Sequence, residues 1–149
     1  AHLRFELVVS ATCFAQLKRH RMATLTTQDY DPLLGMTIPP SFAETGLLAP
    51  LENLRREAES LYGELRDHAG PEAAAYVLLN AHRRRVILGL NVRELYHVAR
   101  LRCDAHAQWD IRRVSQKIVD LARSRVPGLM LLACGKDRFE DMRRIVFGG

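Results

Sequence analysis

The run from Asn91 to Arg112 constrains this chain more than any other. It holds four arginines, two histidines and the only tryptophan, yet Val92, Leu95, Val98 and Ala99 recur at helical spacing. One face of that helix must be buried, which drives its polar residues together on the rest of the surface. Asn91 with Glu94 three residues later resembles a capping box. Asp104 is expected to cap a second helix with the stripe Ala107, Ile111, Val114, Ile118, Leu121 and Ala122. Leu101-Arg102-Cys103-Asp104-Ala105-His106 lies at the break between them, where a guanidinium and an imidazole can point into one cavity.

A second cationic stretch stands near the start, Gln16-Leu17-Lys18-Arg19-His20-Arg21. Ser10 is expected to cap a helix from about Ala11 to Met22 whose apolar face carries Cys13, Phe14 and Leu17. Gln16, Arg19 and His20, three and four apart, then share another face. Arg4 to Val9 reads as a strand, and so does His82 to Leu90, whose Arg83, Arg84 and Arg85 face either a ligand or water. Pro32 to Pro50, rich in proline and glycine, reads as a connecting loop. Leu51, Leu54, Ala58, Leu61, Tyr62 and Leu65 predict a packing helix that stops near Gly70. Pro71 starts a short helix, and Asp137 to Phe147 forms a last one.

The balance of 22 Lys and Arg against 17 Asp and Glu gives a net charge of +5, which attracts anionic ligands. Nucleic acid fits poorly, because few aromatics interleave with the arginines. Membrane insertion is not expected, since no run of 18 or more apolar residues occurs. The N-terminus also lacks the pattern of a signal peptide, so a cytoplasmic location is expected. Cys13, Cys103 and Cys134 are odd in number and unpaired in spacing, which fits reduced thiols. Cys103-x-x-His106 has no second ligand pair to make a zinc site, and no glycine-rich phosphate loop is present.

Asn91-x-Arg93-x-Leu95 followed by Leu101-Arg102-x-x-x-His106-Ala107-Gln108-x-x-Ile111 resembles the C-terminal signature of the flavin-dependent thymidylate synthases. Gln16-x-x-Arg19-His20-Arg21 resembles the opening of the same family's hallmark motif. The resemblance implies an α+β fold, with long helices packed on a small, mostly antiparallel sheet. It implies a single domain over residues 1–149 from which the family's N-terminal part is absent, and a homotetramer with flavins between subunits. The implied cofactor is FAD. The implied reaction is reductive methylation of dUMP to dTMP, with methylenetetrahydrofolate as carbon donor and NADPH as hydride source.

Carried over residue by residue, the resemblance places Arg19, His20, Arg21, Met22, Thr27, Asn91, Arg93, His97 and His106 against the flavin. It places Gln16, Arg19 and Arg102 at the nucleotide, with Arg102 as the catalytic group that favours ionisation of the pyrimidine N3. Three positions depart from the family pattern. Asp29 and Asp31 stand where it has a serine and an arginine, and Ala75 stands where it has a second arginine, all phosphate contacts in the family. Two carboxylates there repel a phosphate dianion. The alternative expectation is therefore a catalytically inactive, structural or regulatory member that keeps at most the flavin site.

Overall fold

The computed structural model describes residues 1–148. The fold is α+β, with helices and one small antiparallel sheet of strands β1 (His2–Ser10), β2 (Thr24–Thr27) and β3 (Arg83–Asn91) in the order β1-β3-β2. Val86, Leu88 and Leu90 alternate along the central strand and are buried, so one face of β3 supplies core. Gly89 sits where both neighbours press in. A Cβ there would stand 3.2 Å from the His2 ring and 3.6 Å from Thr24 Cβ.

The chain divides into two compact units, and each strand contributes residues to both. One comprises Ala1–Leu7, Cys13–Thr26 and the chain from Val86 on; the other comprises Val8–Thr12 and Thr27–Arg85.

The first unit holds most of α1 (Ala11–Leu17), with α5 (Val92–Arg102), α6 (Trp109–Arg125) and α7 (Phe139–Phe147). Its core joins Cys13 and Leu17 of α1, Leu95, Val98 and Ala99 of α5, and Ile111, Ile118, Val119 and Ala122 of α6, with Met130 and Ala133 beyond. Leu121, expected in the α6 stripe, is exposed instead, because the buried face runs through Ser115 and Val119. Helix α1 is shorter than its pattern predicts. It stops at Leu17, and residues 18–23 form tight turns in which His20 N–H donates to Leu17 C=O and Ala23 N–H to His20 C=O. The strand β2 that follows escapes sequence reading, since four residues are too few to display an alternation, although three are threonines.

The expected cap at Asp104 is also corrected. Helix α6 starts at Trp109, and the Gln108 side chain caps it by accepting from Asp110 and Ile111 N–H at 3.0 and 3.2 Å. Asp104 is buried and instead closes the turn before the helix, accepting from His106 N–H at 2.9 Å. The segment after α6 folds back onto that turn so closely that a Cβ on Gly135 would lie 2.7 Å from Cys103 C=O and from Asp104 N. Gly135→Ala is therefore expected to cost roughly 1–3 kcal/mol in chemical denaturation. A change below about half a kcal/mol would show that this contact yields freely.

The second unit is organised by α3 (Leu48–Ala69), with α2 (Pro40–Glu44) and α4 (Pro71–Ala74). Helix α3 begins inside the expected loop, because Pro50 falls in its first turn, where a missing N–H costs nothing. Leu51, Ala58 and Tyr62 bury one face, and Arg55 pairs with Glu52 and Glu59 on the surface. Among the described residues no helix is long and apolar enough to cross a membrane.

Candidate functional site

Helix α1 and the turn after it meet Arg102 at the end of α5. Helix α5 begins at Asn91, whose side chain accepts from Glu94 N–H at 2.9 Å, so the cap expected there is present. Its reciprocal half is not. The Glu94 carboxylate turns inward, with Oε1 3.3 Å from Nδ1 of His20. Because α1 ends at Leu17, the turn after it swings His20 into the interior, leaving His20 4% and Glu94 7% exposed. Two turns along α5 from Glu94, Arg102 donates Nε–H to His20 Nε2 at 3.1 Å and Nη1–H to Gln16 Oε1 at 2.9 Å. His97 meets the His20 ring edge to face, with centroids 5.5 Å apart. The result is a polar chain Gln16–Arg102–His20–Glu94 with His97 at its side.

The charge state follows from the donors. Arginine has no acceptor, so His20 Nε2 must accept, and the ring is neutral with its proton on Nδ1, facing Glu94. That Nδ1 contact is close but too oblique for a full hydrogen bond. Burial, and then the Arg102 charge, hold the His20 pKa below its ordinary 6.5, although Glu94 pulls the other way. Burial and repulsion from Arg19 likewise lower the Arg102 pKa.

A depressed histidine pKa makes the unfolded chain the stronger proton binder below pH 6.5. His20 therefore contributes nothing to pH dependence above that value, and stability falls as pH drops from 6.5 toward the folded pKa. In urea titrations across this range, His20→Gln is expected to remove part of the fall. An unchanged slope would assign the acid sensitivity to other groups.

The remaining expected site residues occupy varied places. Arg19 is exposed and close enough to Arg102 to act on its charge. Arg21 is exposed, and so is Met22 at 78%. Arg93 and His97 lie on the exposed side of α5, four residues apart, with Arg100 a further three along. Arg21, Arg93 and Arg100 make no ion pair among the described residues. His97 and Arg100 line a cleft of about 360 Å³ whose other wall includes Lys136 and Phe139. Asn91 is occupied as a cap. His106 points outward, its side chain 86% exposed, with Nδ1 2.9 Å from Asp104. Thr27 belongs to the second unit, where its hydroxyl accepts from Arg84 Nη2 at 3.1 Å.

That second unit carries a separate cleft of about 270 Å³, and two of the departing positions, Asp29 and Ala75, both line it. Glu72, Tyr30, Tyr62 and Arg84 complete the wall. The Arg84 guanidinium stacks 4.4 Å over the Tyr30 ring and donates Nε–H to Gln28 C=O at 3.0 Å. Asp31 serves the backbone, accepting from Leu33 N–H at 2.9 Å to cap the turn that follows. Of the neighbouring arginines, Arg83 donates to Thr37 and Arg85 faces solvent.

Sequence reasoning missed the role of Glu94, which the capping-box pattern had explained away. It also passed over Arg100, although the spacing Arg93, His97, Arg100 was enough to place all three on one side of α5. In chemical terms, the first unit carries exposed guanidiniums on Arg19, Arg21 and Arg93 and a buried, neutral imidazole on His20.

Residues 1–128 match the family model described as thymidylate synthase complementing protein, and the chain belongs to that family. It is similar to the flavin-dependent thymidylate synthase of Saccharolobus solfataricus, at 32% identity over 81% of this chain and 49% of the relative. The corresponding protein of Geobacter sulfurreducens is 33% identical over 80% of this chain and 55% of its own length. That of Thermococcus onnurineus is 33% identical over 74% of this chain and 49% of its own. The chain thus spans about half the length of these relatives.

Proposed function

We propose that this chain is the part of a flavin-dependent thymidylate synthase that carries the cationic contacts to FAD and to the pyrimidine nucleotide. The observation that carries the reading is the polar chain Gln16–Arg102–His20–Glu94, in which two separated family motifs meet through hydrogen bonds of about 3 Å. The donor set fits FAD. Arg19, Arg21 and Arg93 offer planar guanidiniums suited to a pyrophosphate, and Asn91, His97 and His106 offer polar edges. Met22, exposed beside Arg21, supplies an apolar contact for the ring system. When bound, the flavin supplies hydride chemistry to the reductive methylation of dUMP, with methylenetetrahydrofolate and NADPH as co-substrates. Gln16, Arg19 and Arg102 hold the nucleotide, and Arg102 stabilises negative charge developing on the pyrimidine. The working protein is a cytoplasmic homotetramer.

Flavin fluorescence tests this. FAD added to the purified chain is expected to be quenched with a saturable isotherm, weakened at least tenfold by Arg93→Ala, and dUMP is expected to perturb the bound flavin spectrum. A chain that takes up no FAD sinks the proposal.

A second reading draws on the other cleft. Asp29 and Glu72 place two carboxylates beside Ala75, while the stacked Arg84 is engaged by backbone and ring. Such a wall disfavours a phosphate dianion and supports a flavin-binding member without thymidylate synthesis. FAD uptake with no response to dUMP would select that reading.

A further inference from the structure

We propose that Cys103 and Cys134 form an oxidisable pair, a site of reversible disulfide formation that fastens the C-terminal segment to the end of helix α5. Neither thiol is bridged in the structure, and both line one cleft of about 300 Å³ in the first unit. The backbone beside them is in contact, since a Cβ on Gly135 would lie 2.7 Å from Cys103 C=O. The packing is held by two further bonds. Arg123 Nη2 donates to Ala133 C=O at 2.8 Å, and Ala105 N–H donates to Asp137 Oδ2 at 3.2 Å. A disulfide needs Cα atoms within about 7 Å, and a backbone contact one residue away, with both side chains on one cleft, brings the two cysteines toward that range. Cys134 lies beyond residue 128, so the pair joins the family-matched part of the chain to the segment that follows it.

Burial pushes the Cys103 thiol up to about 11 and raises that of Cys134. The oxidant is a low-molecular-weight disulfide. One protein thiolate attacks it, forming a mixed disulfide and expelling one small thiolate. The second protein thiolate then attacks the protein sulfur of that mixed disulfide and expels the other. Two protein thiols lose two protons and two electrons, and the small disulfide is reduced to two thiols. Cys13 has no exposed surface and is not expected to take part.

The inference stands apart from the proposed function, because its test needs neither flavin nor nucleotide. The full chain is incubated with oxidised glutathione at mildly alkaline pH and read by intact mass, thiol titration and non-reducing peptide mapping. The expected result is a monomer lighter by two hydrogens, titratable thiols falling from three to one, and one linked peptide joining Cys103 to Cys134. Cys103→Ser and Cys134→Ser should each abolish the linked peptide and retain a single glutathione adduct. Persistent adducts on both cysteines of the unsubstituted protein, linkage through Cys13, or cross-linked dimers would overturn the proposal. So would unchanged thiols after the small disulfide has oxidised the urea-unfolded chain.

Discussion

On the proposed function, Arg102→Met is expected to lower dTMP formation by about 10²- to 10³-fold in kcat/KM, the usual loss when one preorganised charge donor is removed from a developing anion. Methionine keeps the apolar stem of the side chain about as far as Nε, so the packing along that stem at the end of α5 is retained. What disappears is the fork that reaches Gln16 and His20. FAD uptake should change little, because the exposed Arg21 and Arg93 are untouched. Removal of Arg102 also removes a charge that depresses His20, so the imidazole pKa should rise and the acid-side loss of stability should shrink. An enzyme with wild-type turnover after this substitution would remove Arg102 from the nucleotide site.

Glu94→Ala should act in the opposite sense on the same imidazole. It removes the carboxylate 3.3 Å from the buried Nδ1–H, a contact short of a full hydrogen bond, so the loss is expected at about 1 kcal/mol, the low end for an unpartnered buried donor. Glu94 also pulls the His20 pKa upward, so its loss drops that pKa further and steepens the decline of stability below pH 6.5. Glu94→Gln restores an acceptor oxygen without the charge and should recover most of the stability at pH 7 but not the pH profile. Chemical denaturation at pH 5 and pH 7 separates the two effects. Equal losses at both pH values in the alanine variant would show that Glu94 contributes packing alone.

These paired responses rest on a network that neither contributing stretch displays by itself. The helical stripe Leu95, Val98, Ala99 was plain in the sequence, and so was the Asn91 cap, because each depends on neighbours within a few residues, whereas the α+β class came through the resemblance. The Gln16 and Arg102 motifs were legible through resemblance, but nothing in their spacing indicated that they share hydrogen bonds across more than eighty residues of chain. The helix ends were misread at Met22 and Asp104 for one reason. At both, a side chain with good local credentials was claimed by a distant partner or by a turn, and tertiary contact outweighed local preference.

The amino-acid order alone determined which faces must be buried, where cations accumulate, and that residues 29, 31 and 75 break the family pattern. Only the folded chain decided what those residues meet. His20 turns inward because α1 stops early, Glu94 leaves its cap to face it, and Asp29 and Ala75 come to share a cleft with Arg84. Local pattern is set by short-range sterics and periodicity, whereas protonation state and charge complementarity depend on distances of a few ångströms between groups far apart in sequence.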